Sequence, residues 1–351
     1  MSDTIKPIRT AIVGFGQSGE LSHAYGIREN PEFKILAVCD LSFQRREYAQ
    51  KSLGCETYSD HRELLQARGD IDLAAVVTRS DTHCVVACEL LDAGINVLVT
   101  KPWAVGTTEA EAMIRAQERS GKRIFPWVPM YWSPEYTKLK ELIGEGSIGK
   151  PFTIRRYITQ FSKRTDWQTE LKYGGGYLNN WGAHIVQPLL GLADSPVAHL
   201  SGHLQQVLNG GDGDDNFLTV IQFENGILGI AEYAQAVEGL PSFMIQGTSG
   251  TLLSDGQIIT LIQKDPERPK SEQRTRYPII GKRFGDEAEI YHDVAQDLLY
   301  GVPFRATTED SYYGTAILDA IRKSHHTKSF VSNFKLIERK IGTLARALPL
   351  T

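Results

Sequence analysis

Six residues, Gly14-Phe15-Gly16-Gln17-Ser18-Gly19, restrict this chain more than any other stretch. They follow a short β-rich run, Ile8–Val13, and lead into a helical one, Glu20–Glu29. A strand that turns into a helix through glycines at this spacing opens a βαβ unit, and such a unit needs a parallel neighbour. Further apolar runs supply neighbours: Phe33–Cys39, Ile71–Thr78, Asn96–Thr100 and Arg123–Val128. Between them, Phe43–Leu53, Thr82–Ala93 and Thr107–Ser120 read as helices. Nearly continuous apolar strands alternating with helices predict a parallel sheet covered on both faces. Gly54, Gly94 and Gly121 stand where helices need a left-handed stop.

From about Tyr131 the pattern changes. A helix over Ser133–Glu145 and a long strand over Phe152–Ser162 come first, then a Gly-rich turn and a helix near Leu178–Leu192. Strands then run in succession: Val197–Leu208, Phe217–Phe223, Ile227–Ala234, Phe243–Gln246, Thr251–Ser254 and Gln257–Gln263. Asn225-Gly226 and Asp255-Gly256 are hairpin dipeptides, so this sheet is predicted to be mainly antiparallel. The polar stretch Lys264–Arg276 reads as an exposed loop, and two helices, Asp286–Tyr300 and Glu309–Ser324, close the pattern. The expected fold is an N-terminal Rossmann domain over residues 1–128 and a C-terminal domain with a large open sheet over residues 129–351. The closing helices are free to pack back on the first domain.

The chain's 351 residues suit two domains, and 41% hydrophobic with 23% charged residues is globular composition. A net charge of −4 gives a nucleic-acid partner no electrostatic support. No apolar run reaches the ~18 residues of a membrane span, and the polar start Met1–Pro7 is no secretory signal. Four cysteines without a C-x-x-C fit reduced thiols in a cytoplasm. Gly210–Asp215 lacks the spacing of a calcium loop and reads as a turn, and His325-His326 has no ligand cluster near it; no metal site is expected.

The glycine loop carries chemistry as well as geometry. Gly14 permits the tight turn, Gly16 lets backbone approach a pyrophosphate, and Gly19 lets helix and strand pack closely. The helix N-terminus adds free N–H groups. Asp40 closes the second strand where an acid binds ribose hydroxyls. That carboxylate favours NAD, while Ser42, Arg45 and Arg46 just beyond it leave NADP open. Phe15 is expected to pack under the dinucleotide.

Two more motifs complete a resemblance. Thr100-Lys101-Pro102 ends a strand, and Gly174-Gly175-Gly176-Tyr177-Leu178-Asn179-Asn180-Trp181-Gly182-Ala183-His184 follows about eighty residues on. With Gly14–Gly19 and Asp40, these resemble the glucose–fructose oxidoreductase / inositol dehydrogenase / rhizopine catabolism (Gfo/Idh/MocA) family over essentially the whole chain. The resemblance implies an oxidoreductase acting on sugars or cyclitols with NAD or NADP, as a homodimer or homotetramer. Lys101, Pro102 and His184 match the family motifs residue for residue. Thr100 replaces a glutamate, Asn180 an aspartate and Arg79 a proline, and Tyr131 stands where an arginine is common. These departures touch the proton relay.

Hydride transfer from a carbinol requires removal of its hydroxyl proton. Lys101 at a strand's carboxyl end is suited to orient the hydroxyl and stabilise alkoxide charge. His184 lies four residues after Asn180 on one helix face, and imidazole titrates near neutral pH. Lys101 and His184 are the catalytic candidates. Asn180, Tyr131, Arg164, Asp166, Trp167 and Lys172 are the substrate-binding candidates, a mix of aromatic and charged groups that suits a sugar ring. Thr78 and His83, matching the family, join Gly14–Gly19, Asp40, Arg45, Lys101 and Pro102 as the cofactor-binding set. Tyr131 or Tyr177 would serve as an extra base by position. Two alternatives accompany the dehydrogenase: a glycosidase that recycles bound NAD through oxidation, elimination, hydration and reduction, and a non-catalytic sensor.

Overall fold

The computed structural model describes residues 6–265, 267–332 and 334. They divide into two units: residues 6–129 with 286–312, and residues 130–285 with the described part of 313–342.

The first unit is built on buried aliphatic strands. β1 (Ile8–Val13), β2 (Phe33–Cys39), β3 (Glu56–Tyr58), β4 (Leu73–Val76), β5 (Asn96–Val99) and β6 (Ile124–Pro126) form one sheet in the order β3-β2-β1-β4-β5-β6. Every neighbouring pair is parallel. Ala11, Ile12, Val38, Ala74, Ala75 and Leu98 are wholly buried, as a sheet covered on both faces requires. The strand order reverses between β1 and β4, and ligands of such sheets bind beyond the carboxyl ends at that point. The helices are α1 (Tyr25–Arg28), α2 (Phe43–Leu53), α3 (His61–Ala67), α4 (His83–Asp92), α5 (Thr107–Ser120) and, from the later stretch, α8 (Glu287–Tyr300). Gly19–Ala24 winds as a π-helical turn before α1, where the sequence pattern predicts one α-helix. Ser42 caps α2, and Gly54 and Gly121 end α2 and α5 in the left-handed region.

The second unit contains α6 (Pro134–Gly144), β7 (Pro151–Gln160), α7 (Tyr177–Ala193), β8 (Val197–Gln205), β9 (Asn216–Phe223), β10 (Leu228–Gln235), β11 (Phe243–Gly247), β12 (Gly250–Ser254), β13 (Ile258–Asp265), β14 (Arg268–Pro278) and β15 (Val331–Ser332). Most of α9 (Thr308–Thr327) belongs here as well. The sheet runs β14-β13-β12-β11-β7-β10-β9-β8-β15. Its pairs are antiparallel except β7 with β10, which are parallel. Ile154, Ile221, Phe243, Ile245, Leu252 and Ile259 line one face and pack with Ile185, Val186 and Leu189 of α7 and Ile317 and Ile321 of α9. Lys264–Arg276, expected to be a loop, is mostly the edge strand β14. It pairs with β13 from Ile258↔Pro278 to Lys264↔Glu272. Its charged composition is that of an exposed edge, which charges protect from further pairing. No helix among the described residues is long and apolar enough to cross a membrane.

Candidate active site

In the first unit, the cofactor-set residues lie on the loops and helix starts that follow β1, β2, β4 and β5. Gly14 has φ +100°, and a Cβ there would lie 2.5 Å from the Val77 carbonyl oxygen. A Cβ on Gly19 would lie 2.3 Å from the Gly14 oxygen. A Cβ on Gly16 would meet only the Arg45 guanidinium, at 3.6 Å. Two glycines are therefore demanded by packing, and the third leaves open backbone, which is the division of labour a dinucleotide cradle needs. Gln17 and Ser18 are exposed, while Phe15 is buried with its ring 6.4 Å from that of Tyr48.

Asp40 ties this loop to the end of β2. Its carboxylate accepts the Phe15 N–H at 2.7 Å and the Ser42 N–H at 2.8 Å, and Arg45 lies 3.5 Å away. Arg46 donates to the Asp40 carbonyl at 2.6 Å. The strand-end acid and the glycine loop thus form one assembly.

His83 does the same between β4 and β5. Its Nδ1 lies 2.8 Å from the Pro102 carbonyl and its Nε2 3.0 Å from the Thr78 carbonyl. The ring is wholly buried, and that burial pushes its pKa below the ordinary value. His83 therefore braces the Thr78 loop against Lys101-Pro102. Thr100 donates from Oγ1 to the Val76 carbonyl at 3.1 Å, so where a carboxylate was expected a neutral hydroxyl is spent on backbone. Lys101 is half-buried. Arg79 pairs with Asp81 at 3.0 Å.

In the second unit, Asn180 and His184 lie on the first two turns of α7, which a clasp of backbone and acids sets in place. Gly176 has φ +92°, and a Cβ there would lie 2.6 Å from the Asp214 Oδ1. Asp214 accepts the Leu178 N–H at 2.8 Å, and its carbonyl accepts the Tyr177 N–H at 2.7 Å. Burial raises its carboxyl to about 6. Asn179 donates to the carbonyls of Gly174 and Gly175 at 3.1 and 3.0 Å and accepts from Arg322. Asp212 accepts the Leu171 N–H at 2.7 Å, and Asp215 accepts N–H groups of Val207, Leu208 and Asn209 at 2.6–2.7 Å. The acidic turn Gly210–Asp215 is thus the device that holds the helix start. Asn179 and Asp214 were not among the sequence candidates; the signal was a run of three carboxylates in a Gly-rich turn, each able to cap free N–H groups.

His184 is nearly buried, with the rings of Trp181 and Phe284 each 5.5 Å away. The remaining candidates have separate partners. Arg164 and Asp166 form an ion pair at 2.6 Å, and the Arg164 N–H donates to Asn209 at 2.8 Å. Trp167 is half-buried on the turn that follows. Lys172 is exposed, pairs with Glu170 at 2.6 Å and covers the Tyr173 ring. Tyr131 packs against Tyr136, ring centroids 5.9 Å apart. Tyr177 is buried against Tyr233, and burial raises its phenol, which weakens its case as a base. Among the described residues, no three His, Cys, Asp or Glu side chains are placed to hold a metal.

Residues 8–127 match the model described as an oxidoreductase family with an NAD-binding Rossmann fold, and residues 136–253 match the GFO/IDH/MocA C-terminal domain. A myo-inositol 2-dehydrogenase of Thermotoga maritima is 22% identical over 95% of this chain and all of its own length. A D-apiose dehydrogenase of Paraburkholderia graminis is 25% identical over 71% of this chain and 68% of its own. A 2,7-anhydro-N-acetylneuraminate hydratase of Mediterraneibacter gnavus is 25% identical, over 85% and 80%. The fold is shared with an NAD-binding protein of Listeria innocua, with a TM-score of 0.86 at 24% identity over 94% of this chain and 98% of that one. With both halves of the chain matched by models of one family, the protein belongs to the Gfo/Idh/MocA oxidoreductases.

Proposed function

We propose that this protein is an NAD-dependent dehydrogenase of a secondary hydroxyl on a sugar, sugar derivative or cyclitol. The observation that supports it most is the cradle of the first unit: open backbone at Gly16 beside the anchored carboxylate of Asp40. Gly14–Gly19 hold the pyrophosphate, Asp40 the ribose hydroxyls, and Thr78, His83, Lys101 and Pro102 the nicotinamide end. When bound, the nicotinamide supplies the hydride acceptor. Lys101 orients the hydroxyl through its ammonium and stabilises alkoxide charge. His184 takes the hydroxyl proton on an imidazole nitrogen. Asn180 exchanges no proton and positions substrate hydroxyls. The dehydrogenase names of two relatives support a polyol substrate.

A second reading, redox-neutral glycoside cleavage with recycled NAD, draws on the relative named as a hydratase and on the loss of carboxylates at Thr100 and Asn180. One assay separates the two. A panel of free sugars, cyclitols and aryl glycosides is offered with NAD, and NADH and released phenol are both followed. Net oxidation predicts NADH and product accumulating one to one. Phenol release under trace NAD with no NADH build-up overturns it. Lys101→Ala and His184→Ala are each expected to lower turnover by about 10²–10⁴-fold, with NAD affinity kept in His184→Ala. Near-native turnover in either variant removes that residue from the mechanism.

A further inference from the structure

His184 stands inside a triangle of rings. The Trp181 and Phe284 centroids lie 5.5 Å from its own, at tilts of 54° and 51°, and 6.1 Å from each other. Each wall is backed. Trp181 stacks on Tyr233 at 5.6 Å and 22°, and the Tyr233 hydroxyl reaches the side-chain oxygens of Gln160 and Gln235 at 3.1 and 2.9 Å. Phe284 carries the Arg283 guanidinium over its ring at 5.3 Å. The Arg283 carbonyl in turn accepts a hydrogen bond from Ser133 Oγ at 2.8 Å. Trp181 shares a helix with His184, so its place follows from α7 itself. Phe284 comes from the stretch after β14, so its place against the imidazole is set by tertiary contacts alone.

An imidazole on a helix chooses among staggered χ1 wells, and each well aims its nitrogens differently. Rings on two sides restrict that choice. We propose that Phe284 is a positioning residue: with Trp181 it confines the His184 ring to the one orientation from which it takes the substrate proton. The proposal rests on the catalytic reading of His184 given above. A misplacement of about 1 Å in a reacting group costs on the order of 10²-fold in rate, so the wall acts on turnover rather than on substrate affinity.

The test is a double-mutant cycle in the full chain loaded with NAD. Turnover is measured with the best substrate of the panel, and without any substrate the His184 ring signals are recorded in histidine-labelled protein, assigned by their loss in His184→Asn. Phe284→Leu keeps apolar bulk and removes the ring. It is expected to lower kcat at least tenfold with KM changed less than about twofold, and to broaden the single sharp set of His184 signals. Phe284→Tyr, which restores the ring, is expected to restore both. On the His184→Asn background, Phe284→Leu should have no further effect, because it acts through the imidazole. Unchanged kcat and unchanged signals in Phe284→Leu overturn the proposal. So does a raised KM with kcat intact, which would make Phe284 a substrate contact, or a further loss on the His184→Asn background. Full turnover in His184→Asn refutes the catalytic reading itself, and the ring signals then decide the confinement alone.

Discussion

Asp40 concentrates two functions in one carboxylate. It fixes the Phe15 and Ser42 N–H groups, and it holds Arg45 at 3.5 Å over the open glycine. The carboxylate is almost buried beneath the exposed guanidinium, and its charge opposes a 2′-phosphate at this strand end while it suits ribose hydroxyls, so NAD is expected to bind tighter than NADP in paired titrations. Hydrogen bonds to a charged group contribute roughly 1.5–3 kcal/mol. Asp40→Ala should therefore weaken NAD by about tenfold or more. It should also narrow the gap to NADP, since the freed Arg45 then faces the phosphate unopposed. An unchanged ratio of the two affinities would refute this. Asp40 and the glycines were legible from sequence because their demands are local: a turn without a Cβ, and an acid at a strand end. Phe284 and Asp214 were not, because each acts on a residue far away along the chain, and no periodicity marks such a meeting.

At the scale of elements, legibility followed the caps. α2 and α5 were read to the residue because a left-handed glycine ends each, and Ser42 opens the first. β3 and α3 were missed, the one being three residues with no apolar run and the other seven residues opened by the side chain of Asp60. The parallel pairing of β7 with β10 was not readable either, since hairpin dipeptides specify only strands adjacent in sequence. The start of α7 makes a prediction. Burial raises the Asp214 carboxyl to about 6, above its unfolded value near 3.9. The folded chain therefore binds the proton more tightly. That stability is present at low pH and is lost as pH rises through about 6. Between pH 4.5 and 7.5 the loss amounts to about 2 kcal/mol. Asp214→Asn keeps an oxygen for the Leu178 N–H and cannot ionise. By urea unfolding at those two pH values, the variant should gain on the wild type by about this amount at the higher pH. Parallel pH dependence of the two proteins would count against it.

At the scale of the molecule, the nine-stranded sheet has two unlike faces. Phe217, Thr219, Ile221 and Phe223 of β9 are buried, while Leu218 is 40% exposed and Val220 half-buried. Leu228, Ile230, Met244, Leu253 and Ile262 are half-buried in the same alternation on neighbouring strands. Arg155, Gln222 and Glu232 share this face, and a mixed surface with this many half-buried apolar side chains on an open sheet favours a second copy as its cover. We expect a homo-oligomer by light scattering at micromolar concentration, and a shift toward monomer in Leu218→Lys with Ile230→Lys. A monomeric wild type would refute it. The division of the chain reaches further than assembly. Tyr291 of α8 is wholly buried in the first unit, its hydroxyl 2.8 Å from the Nδ1 of His23 and its ring edge-on to Phe33. A nascent chain synthesised through residue 129 therefore owns every strand of the parallel sheet and still lacks part of its interior. At about 5–20 residues per second, roughly 10–30 s of translation separate the last of those strands from the helix that seals them. During that interval, Phe33 and the Nδ1 of His23 lack the partner that Tyr291 gives them, and Trp127 covers the His23 ring from within the first 129 residues.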